Sequence, residues 1–217
     1  TWSRHQLGGF VRGAFNRFAD NSTENTEEYG AGVNGRLDVV RQTYLYGGVD
    51  YQKLTEQRTD PTSPYGVVRP NEYELFRANV GAVRGVNRLR LSGRLDYNDF
   101  SYSDNVLVNG TFLSGLQRSR NALTGTGRAE YALSPAVSAF VGGKFGRTRY
   151  DVPSQGGFDR DSKESSYTVG TSFDLTRLSR GEIEGGVVSR SFDDPRFQSV
   201  KGATLSGRDI SDQPLEI

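Results

Sequence analysis

The feature that most constrains the fold is a long alternation of residue types on both sides of Ser134-Pro135. One face before this point carries Leu123, Gly125, Gly127, Ala129, Tyr131 and Leu133, and after it Val137, Ala139, Val141, Gly143 and Phe145. Successive side chains of a strand point to opposite faces, so a period of two predicts β-strands. Pro135 cannot donate to a strand ladder and favours a turn. The stretch therefore predicts a hairpin of two long strands joined tightly.

The same alternation recurs along the chain and predicts about ten strands. They cover roughly residues 5–19, 29–39, 45–52, 75–82, 88–97, 123–133, 137–146, 167–175, 182–187 and 200–210. Short turns are predicted near 41–42, 84–85, 134–135 and 179–181, and a further turn at 193–197. Long polar or proline-bearing loops are predicted at 19–28, 56–71, 103–118 and 152–164. Long and short connections in alternation are typical of an up-and-down outer-membrane barrel.

The length of the predicted strands and the lack of charge on one of their faces also favour a membrane barrel. Strands of about 12 residues exceed those of soluble sheets and reach the length that a tilted strand needs to cross lipid. A soluble β-sandwich, a lipocalin-like barrel and a propeller with a repeat of about 45 residues are the alternatives. The predicted outward face carries almost no charge, whereas a water-exposed face would. We therefore predict an all-β fold, a transmembrane antiparallel up-and-down β-barrel of about ten strands, forming one domain over residues 1–217.

Aromatic residues near the strand ends support this interpretation. They are Tyr29, Tyr51, Tyr97, Tyr131, Tyr150 and Tyr167. Aromatic side chains form girdles at the two interfaces of a membrane barrel. We expect these six tyrosines to contribute to such a girdle.

Composition excludes several other classes of protein. Only 34% of the residues are hydrophobic and the mean hydropathy is -0.61, so no transmembrane helix is expected. The absence of cysteine excludes a disulfide framework and a thiolate metal site. With 27 basic and 26 acidic residues, the chain lacks the broad cationic field of a nucleic-acid binder. Because the sequence starts at Thr1 and contains no methionine, we expect a processed or excised segment whose signal peptide is gone.

Several short sequence motifs in residues 122–200 resemble those of a known family. They are Leu-Ser-Pro-Ala at 133–136, Asp-Arg-Asp-Ser at 159–162, Phe-Asp-Leu-Thr-Arg-Leu-Ser-Arg-Gly at 173–181 and Asp-Asp-Pro-Arg-Phe at 193–197. In these the chain resembles the family of putative β-barrel porins of Gram-negative outer membranes, some of which are linked to exopolysaccharide export. The resemblance implies a bacterial outer-membrane location and cell-surface loops. Residues 211–217 depart from the aromatic-ended last strand that is common in such barrels. Either further strands lie outside this segment or closure uses other chains.

Charged residues on the predicted inward face are the candidate functional groups. A basic wall is predicted from Arg77, Arg88, Arg90, Arg94, Arg128 and Lys144, and an acidic wall from Asp174, Glu182 and Glu184. Opposed walls across a water-filled lumen would orient polar solutes, and the arginines would favour anions. The alternative is that these groups pair with each other and with Glu130, Asp96 and Asp38 inside a narrow, filled barrel. Inward glycines favour an unfilled interior; they are Gly30, Gly32, Gly48, Gly81, Gly142, Gly146, Gly170 and Gly186.

The sequence offers little for catalysis or for a cofactor. His5 is the only histidine and no serine elbow accompanies it. Asp159 and Asp161 lack the glycine and distal glutamate of a calcium loop, so a solvated turn is expected there. We expect no enzyme, metal or cofactor, but a porin-like channel or export conduit for anionic or saccharide solutes. The alternative is a non-conducting barrel that anchors loops for a surface or periplasmic protein partner. In both, outer-membrane lipid surrounds the barrel and no nucleic acid binds.

Overall fold

Ten long strands and one short hairpin make up the fold in the computed structural model, which describes residues 5–61, 63–153, 157–174, 179–194, 196 and 200–209. The strands are β1 His5–Asn16, β2 Thr26–Val40, β3 Thr43–Thr55, β4 Glu72–Val86, β5 Leu89–Tyr102, β6 Asn105–Val106, β7 Phe112–Leu113, β8 Arg120–Ser134, β9 Val137–Tyr150, β10 Ser162–Asp174, β11 Arg180–Phe192 and β12 Val200–Asp209. Single 3-10 turns occupy Ser22–Glu24 and Gly115–Gln117. All ten predicted strands are confirmed. Residues 210–217, which include the predicted polar tail, lie outside the described residues.

The ten long strands form one antiparallel sheet in chain order, β1-β2-β3-β4-β5-β8-β9-β10-β11-β12. Strands that are adjacent in this order pair with each other, which confirms the predicted up-and-down, all-β fold. Within the described part of the chain, β1 pairs with β2 alone and β12 with β11 alone, so the sheet is not closed there. The short β6–β7 hairpin stands apart from this sheet.

The short connections hold two corrections. The turn predicted near residues 84–85 lies at Asn87-Arg88, because β4 continues to Val86 and Gly85 is a strand residue whose amide donates to the Gln42 carbonyl at 2.7 Å. Asn87 adopts a φ of 55°, which asparagine tolerates better than most residues. The turn predicted at 179–181 is also misplaced, because β11 already begins at Arg180. Residues 175–178 lie outside the described residues. They include the end of the eighth predicted strand and most of this connection.

The apolar face of the sheet is exposed rather than packed. Leu7, Val11 and Val169 are 71%, 88% and 62% exposed. The buried hydrophobic side chains among the described residues are Val67, Leu75, Val83 and Phe140. A soluble sandwich buries its apolar strand faces against a second sheet, whereas a membrane barrel turns them outward to lipid. The exposed apolar face is thus that of a membrane-type sheet. Among the described residues, no helix is both long and apolar enough to span a membrane.

Aromatic rings pair on this outer face. The Tyr29 and Tyr51 ring centroids are 6.5 Å apart, and the Phe145 and Tyr167 centroids are 5.6 Å apart. These pairs lie in the half of the sheet nearer the long loops, where a girdle at one interface would lie. Tyr150 does not share their position: it lies on the opposite face, and the Arg160 guanidinium is stacked 4.0 Å above its ring. The alternation of side chains along β9 explains this correction. Tyr150 is an even number of residues from Lys144 and Thr148, so it lies on the same face as they do.

Candidate functional site

The face opposite the apolar one, here called the polar face, carries charged residues from most of the long strands, such as Arg77, Arg94, Arg128 and Glu182. Strand alternation and register place the predicted basic and acidic residues on it together. Thr126 on β8, for example, is opposite Arg94 on β5 and Lys144 on β9. The polar face also curves inward. Arg128 Nη2 on β8 lies 2.8 Å from Glu182 Oε2 on β11, although three strand spacings would be roughly 14 Å in a flat sheet.

A groove of about 440 Å³ crosses the middle of the polar face over β5, β8, β9 and β10. We call it the central groove. Its cationic side chains are Arg94, Arg128 and Lys144. Its hydroxyl side chains are Tyr46, Ser92, Thr126, Ser166 and Thr168. No carboxylate is among the described residues that line it, so the groove offers cations and hydroxyls to a solute.

Carboxylates beside the groove hold each of these cations. Arg94 Nη2 lies 2.6 Å from Asp96 Oδ1, in a partly exposed pair. The ammonium of Lys144 donates to Glu164 Oε1 at 2.8 Å, and its side chain stays 46% exposed. Both cations therefore keep a partner while remaining open to the groove.

Arg128 has a more buried setting than the other two cations. It reaches Glu182, whose side chain is 2% exposed, and also lies 3.4 Å from Glu130. Its guanidinium carbon stands 3.5 Å above the centre of the Phe140 ring, which is buried. Because Glu182 is so deeply buried, this pair holds the wall of the groove together as well as contributing charge.

The remaining predicted wall residues lie apart from the central groove. Arg77 Nη2 pairs with Asp50 on β3 at 2.9 Å. Asp174 accepts from Arg180 at 2.8 Å, and Glu184 accepts from the Ser206 hydroxyl at 3.5 Å. One residue of the predicted basic wall, Arg128, meets one of the predicted acidic wall, Glu182, directly. Basic and acidic residues are interleaved on neighbouring strands.

Arg88 and Arg90 lie at the end of the sheet where the short turns are. They line a second cavity, of about 300 Å³, with residues of β2, β3, β9 and β11. We call this the short-turn cavity. The predicted basic wall is therefore split between two places on the polar face.

Glycines on the polar face make room for large neighbours rather than leaving space. A Cβ at Gly170 would lie 2.5 Å from Cζ of Phe140, and one at Gly81 would meet the Tyr46 ring. The expectation that these glycines leave the interior unfilled is wrong at both positions. A glycine without a side chain lets a ring from the adjacent strand lie flat over it. The sequence signal was there, since Tyr46 and Phe140 fall on the polar face by parity.

The long loops form an ordered cap that the sequence did not reveal. We define the loop cap as residues 56–61, 63–71 and 103–119. The Arg118 guanidinium donates to both oxygens of Glu56, at 2.8 and 2.5 Å, and the Glu56 side chain is 6% exposed. Backbone bonds join Val68 to Val106 at 2.9 Å and Val108 to Gly66 at 2.8 Å. The two loops are therefore one unit, with a buried ion pair at its base.

Two further ion pairs in the long loops lower the pKa of their carboxylates. Arg58 binds the Glu24 carboxylate and donates to the Val67 carbonyl, which links the first long loop to the loop cap. Its hydrogen bond lowers the pKa of Glu24 below the ordinary value. Arg196 likewise holds the pKa of Asp194 far below its usual range by hydrogen bonding. Both carboxylates stay charged in mild acid.

The weaker candidates of the sequence have structural roles. His5 Nδ1 accepts from the Asp38 amide at 3.3 Å. Asp159 accepts from the Asp161 amide at 2.9 Å, and Asp161 accepts from the Tyr150 amide at 2.8 Å. Within the described residues no group of three or more His, Cys, Asp or Glu side chains is placed to hold a metal ion.

A family model described as Putative beta-barrel porin 2 matches residues 1–208. No curated protein matches the chain.

Proposed function

We propose that this chain, which belongs to the Putative beta-barrel porin 2 family, conducts anionic and saccharide solutes across a bacterial outer membrane along its polar face. Membership in a porin family indicates a membrane location and a non-enzymatic role. The solute class and the outer membrane are our proposal. The observation that carries it is the central groove, where three cations and five hydroxyls line about 440 Å³ without a carboxylate in the lining.

The chemistry of the groove suits such solutes. Fixed cations in a pore lower the energy of a passing anion and raise that of a cation. Hydroxyl side chains both donate and accept hydrogen bonds, so they can replace the water around a sugar. The Arg94 and Lys144 side chains are 43% and 46% exposed, so their charge is available to a solute despite their partners.

A non-conducting surface anchor is the second candidate, and two observations favour it. The charges of the polar face are largely paired across strands, as Arg128–Glu182 and Arg77–Asp50 show. The loop cap is held by a buried ion pair, as a rigid platform for a partner protein would be. Small barrels fill their interiors with side chains in this way.

Single-channel recording separates the two candidates. We would reconstitute the full-length protein in a planar bilayer and measure conductance and reversal potential in a salt gradient. The variants are Arg94→Gln with Lys144→Gln, and the control is Arg147→Gln, which removes a charge from the opposite face of the same strand β9. We expect a steady anion-selective conductance that moves towards no selectivity in the double variant and stays unchanged in the control.

Two results would contradict the proposal. Folded, heat-modifiable protein that never conducts would favour the surface anchor. Conductance whose ion preference ignores Arg94 and Lys144 would remove the central groove from the pathway.

A further inference from the structure

The short-turn cavity holds more cations than anions. Four arginines line it. They are Arg36 on β2, Arg88 in the turn before β5, Arg90 on β5 and Arg180 on β11. The carboxylates in the same lining are Asp38 and Glu130. A cavity of about 300 Å³ is at the small end of the range for ligand pockets.

Those two carboxylates are already engaged with arginines. Arg36 Nε lies 2.9 Å from Asp38 Oδ1, and its guanidinium stacks 3.6 Å from the centre of the Tyr44 ring. Glu130 lies 3.4 Å from Arg128, on the central-groove side. Arg180 Nε lies 2.8 Å from Asp174 Oδ1, and Asp174 is outside the lining of the cavity.

Arg88 is different from these. It follows Asn87 in the two-residue turn between β4 and β5, its side chain is exposed, and it pairs with no carboxylate in the described part of the chain. The turn fixes its backbone, since the Arg88 carbonyl accepts from the Ala132 amide at 2.8 Å. A guanidinium that lines a cavity rich in arginine and has no carboxylate partner among the described residues is a binding group for an oxyanion.

We propose that the short-turn cavity binds a small hydroxylated carboxylate of the sugar-acid class, with Arg88 as its main anchor. The planar fork of Arg88 matches the two oxygens of a carboxylate. Gln42, Asn87 and Ser138 line the same cavity and supply amide and hydroxyl groups for the hydroxyls of the ligand. Leu89 and Ala132 complete the wall with apolar surface for the faces of a sugar ring.

The site has a place in the proposed function, on which its role in transport rests. A solute that follows the polar face meets the short-turn cavity at one end and the central groove in the middle. Weak binding of anions at the mouth would raise their local concentration before they enter the groove. Binding itself does not need conduction, so the two are measured separately.

The test is a titration of folded, detergent-solubilised protein with glucuronate, followed by calorimetry. Glucose and inorganic phosphate are the comparison probes, and each variant is first checked for the gel-mobility shift of a folded barrel. We expect glucuronate to bind more tightly than either probe, and Arg88→Gln to weaken it about tenfold, as loss of one charge-assisted contact would. Arg84→Gln is the matched control: it removes the same charge near the same end of the sheet but does not line the cavity.

Three results of this titration would overturn the inference. Equal binding of glucose would mean that charge is not recognised, and tighter binding of phosphate would make this a site for inorganic oxyanions. Equal losses in the Arg84 and Arg88 variants would reduce the effect to general electrostatics. Protein that binds glucuronate through Arg88 but never conducts would leave the site standing and defeat the proposed function, whereas a conducting protein that does not bind would do the reverse.

Discussion

Arg36 on β2 and Arg180 on β11 line the same cavity, although seven strand spacings separate them along the sheet. In a flat sheet those spacings would amount to roughly 34 Å. A cavity of about 300 Å³ cannot extend so far, so the sheet bends round until its second and second-last strands share one enclosure. The polar face is therefore the inside of a barrel-like curve and the apolar face its outside.

The glycine at position 170 should be intolerant of even one methyl group. In Gly170→Ala the new Cβ would collide with the Phe140 ring and with the Ile183 carbonyl, each 2.5 Å away. Overpacking of this kind typically costs about 1–3 kcal/mol. We expect a lower melting temperature in detergent, followed by circular dichroism. Gly127→Ala is the control, because its Cβ would have only ordinary contacts; equal effects of the two would contradict the prediction.

The cations of the central groove should differ in their contribution to stability. Arg128→Met removes the guanidinium that binds the buried Glu182 carboxylate, and breaking a buried pair in this way costs about 3–5 kcal/mol. Lys144→Met breaks a largely exposed pair, worth about 1 kcal/mol or less. Urea unfolding of the protein in lipid vesicles measures both. A Lys144 variant as unstable as the Arg128 variant would refute this ranking.

The loop cap should loosen when its buried ion pair is broken. Arg118→Met leaves the Glu56 carboxylate buried without a guanidinium, at a cost of about 3–5 kcal/mol to the closed arrangement of the two loops. The chain has no cysteine, so spin labels can be placed selectively at Thr59→Cys and Asn109→Cys. We expect the distance distribution between the labels to broaden. Arg69→Met, an exposed change in the same loop, should leave it narrow; broadening in both would assign the effect to loop charge alone.

Acid should release the link between the first long loop and the loop cap only below the ordinary range for a glutamate. Because the pKa of Glu24 is lowered from its usual 4.5, the pair stabilises the folded loops fully above pH 4.5 and is lost as pH falls through the lowered value. A carboxyl-carbon NMR titration should give a midpoint below 4.5, and one close to 4.5 in Arg58→Gln. Arg69→Gln should leave the midpoint of Glu24 where it is in the natural sequence. A midpoint at or above 4.5 in the unmodified protein would contradict the prediction.

The strands could be predicted because their signal is local. A period of two needs only the residues of one strand, and it gave all ten strands and the sharing of one face by Arg94, Arg128 and Lys144. The ends of strands were less predictable. Gly85 resembles a turn residue, yet it extends β4 because it lets the Gln42 side chain approach closely.

The partners of the charged residues could not be predicted from the sequence. Arg128 and Glu182 are brought together by the curvature of the sheet, and Glu56 and Arg118 by the folding of two separate loops. Neither distance follows from spacing along the chain. The filling of the polar face by Tyr46 and Phe140 depends likewise on cross-strand register, which places each ring over a glycine of the next strand.

The chain-order pairing of the strands has a consequence for how the protein reaches its folded state. Each strand pairs with the strand that precedes it in the chain, so the paired residues are close in sequence. Forming each pair therefore costs little loop-closure entropy. The sheet can grow by successive hairpins, with its newest strand always offering a free row of amides and carbonyls to the next. We therefore expect the strands to be added one after another in chain order. The ion pairs that bridge non-neighbouring strands, such as Arg128–Glu182, would form last.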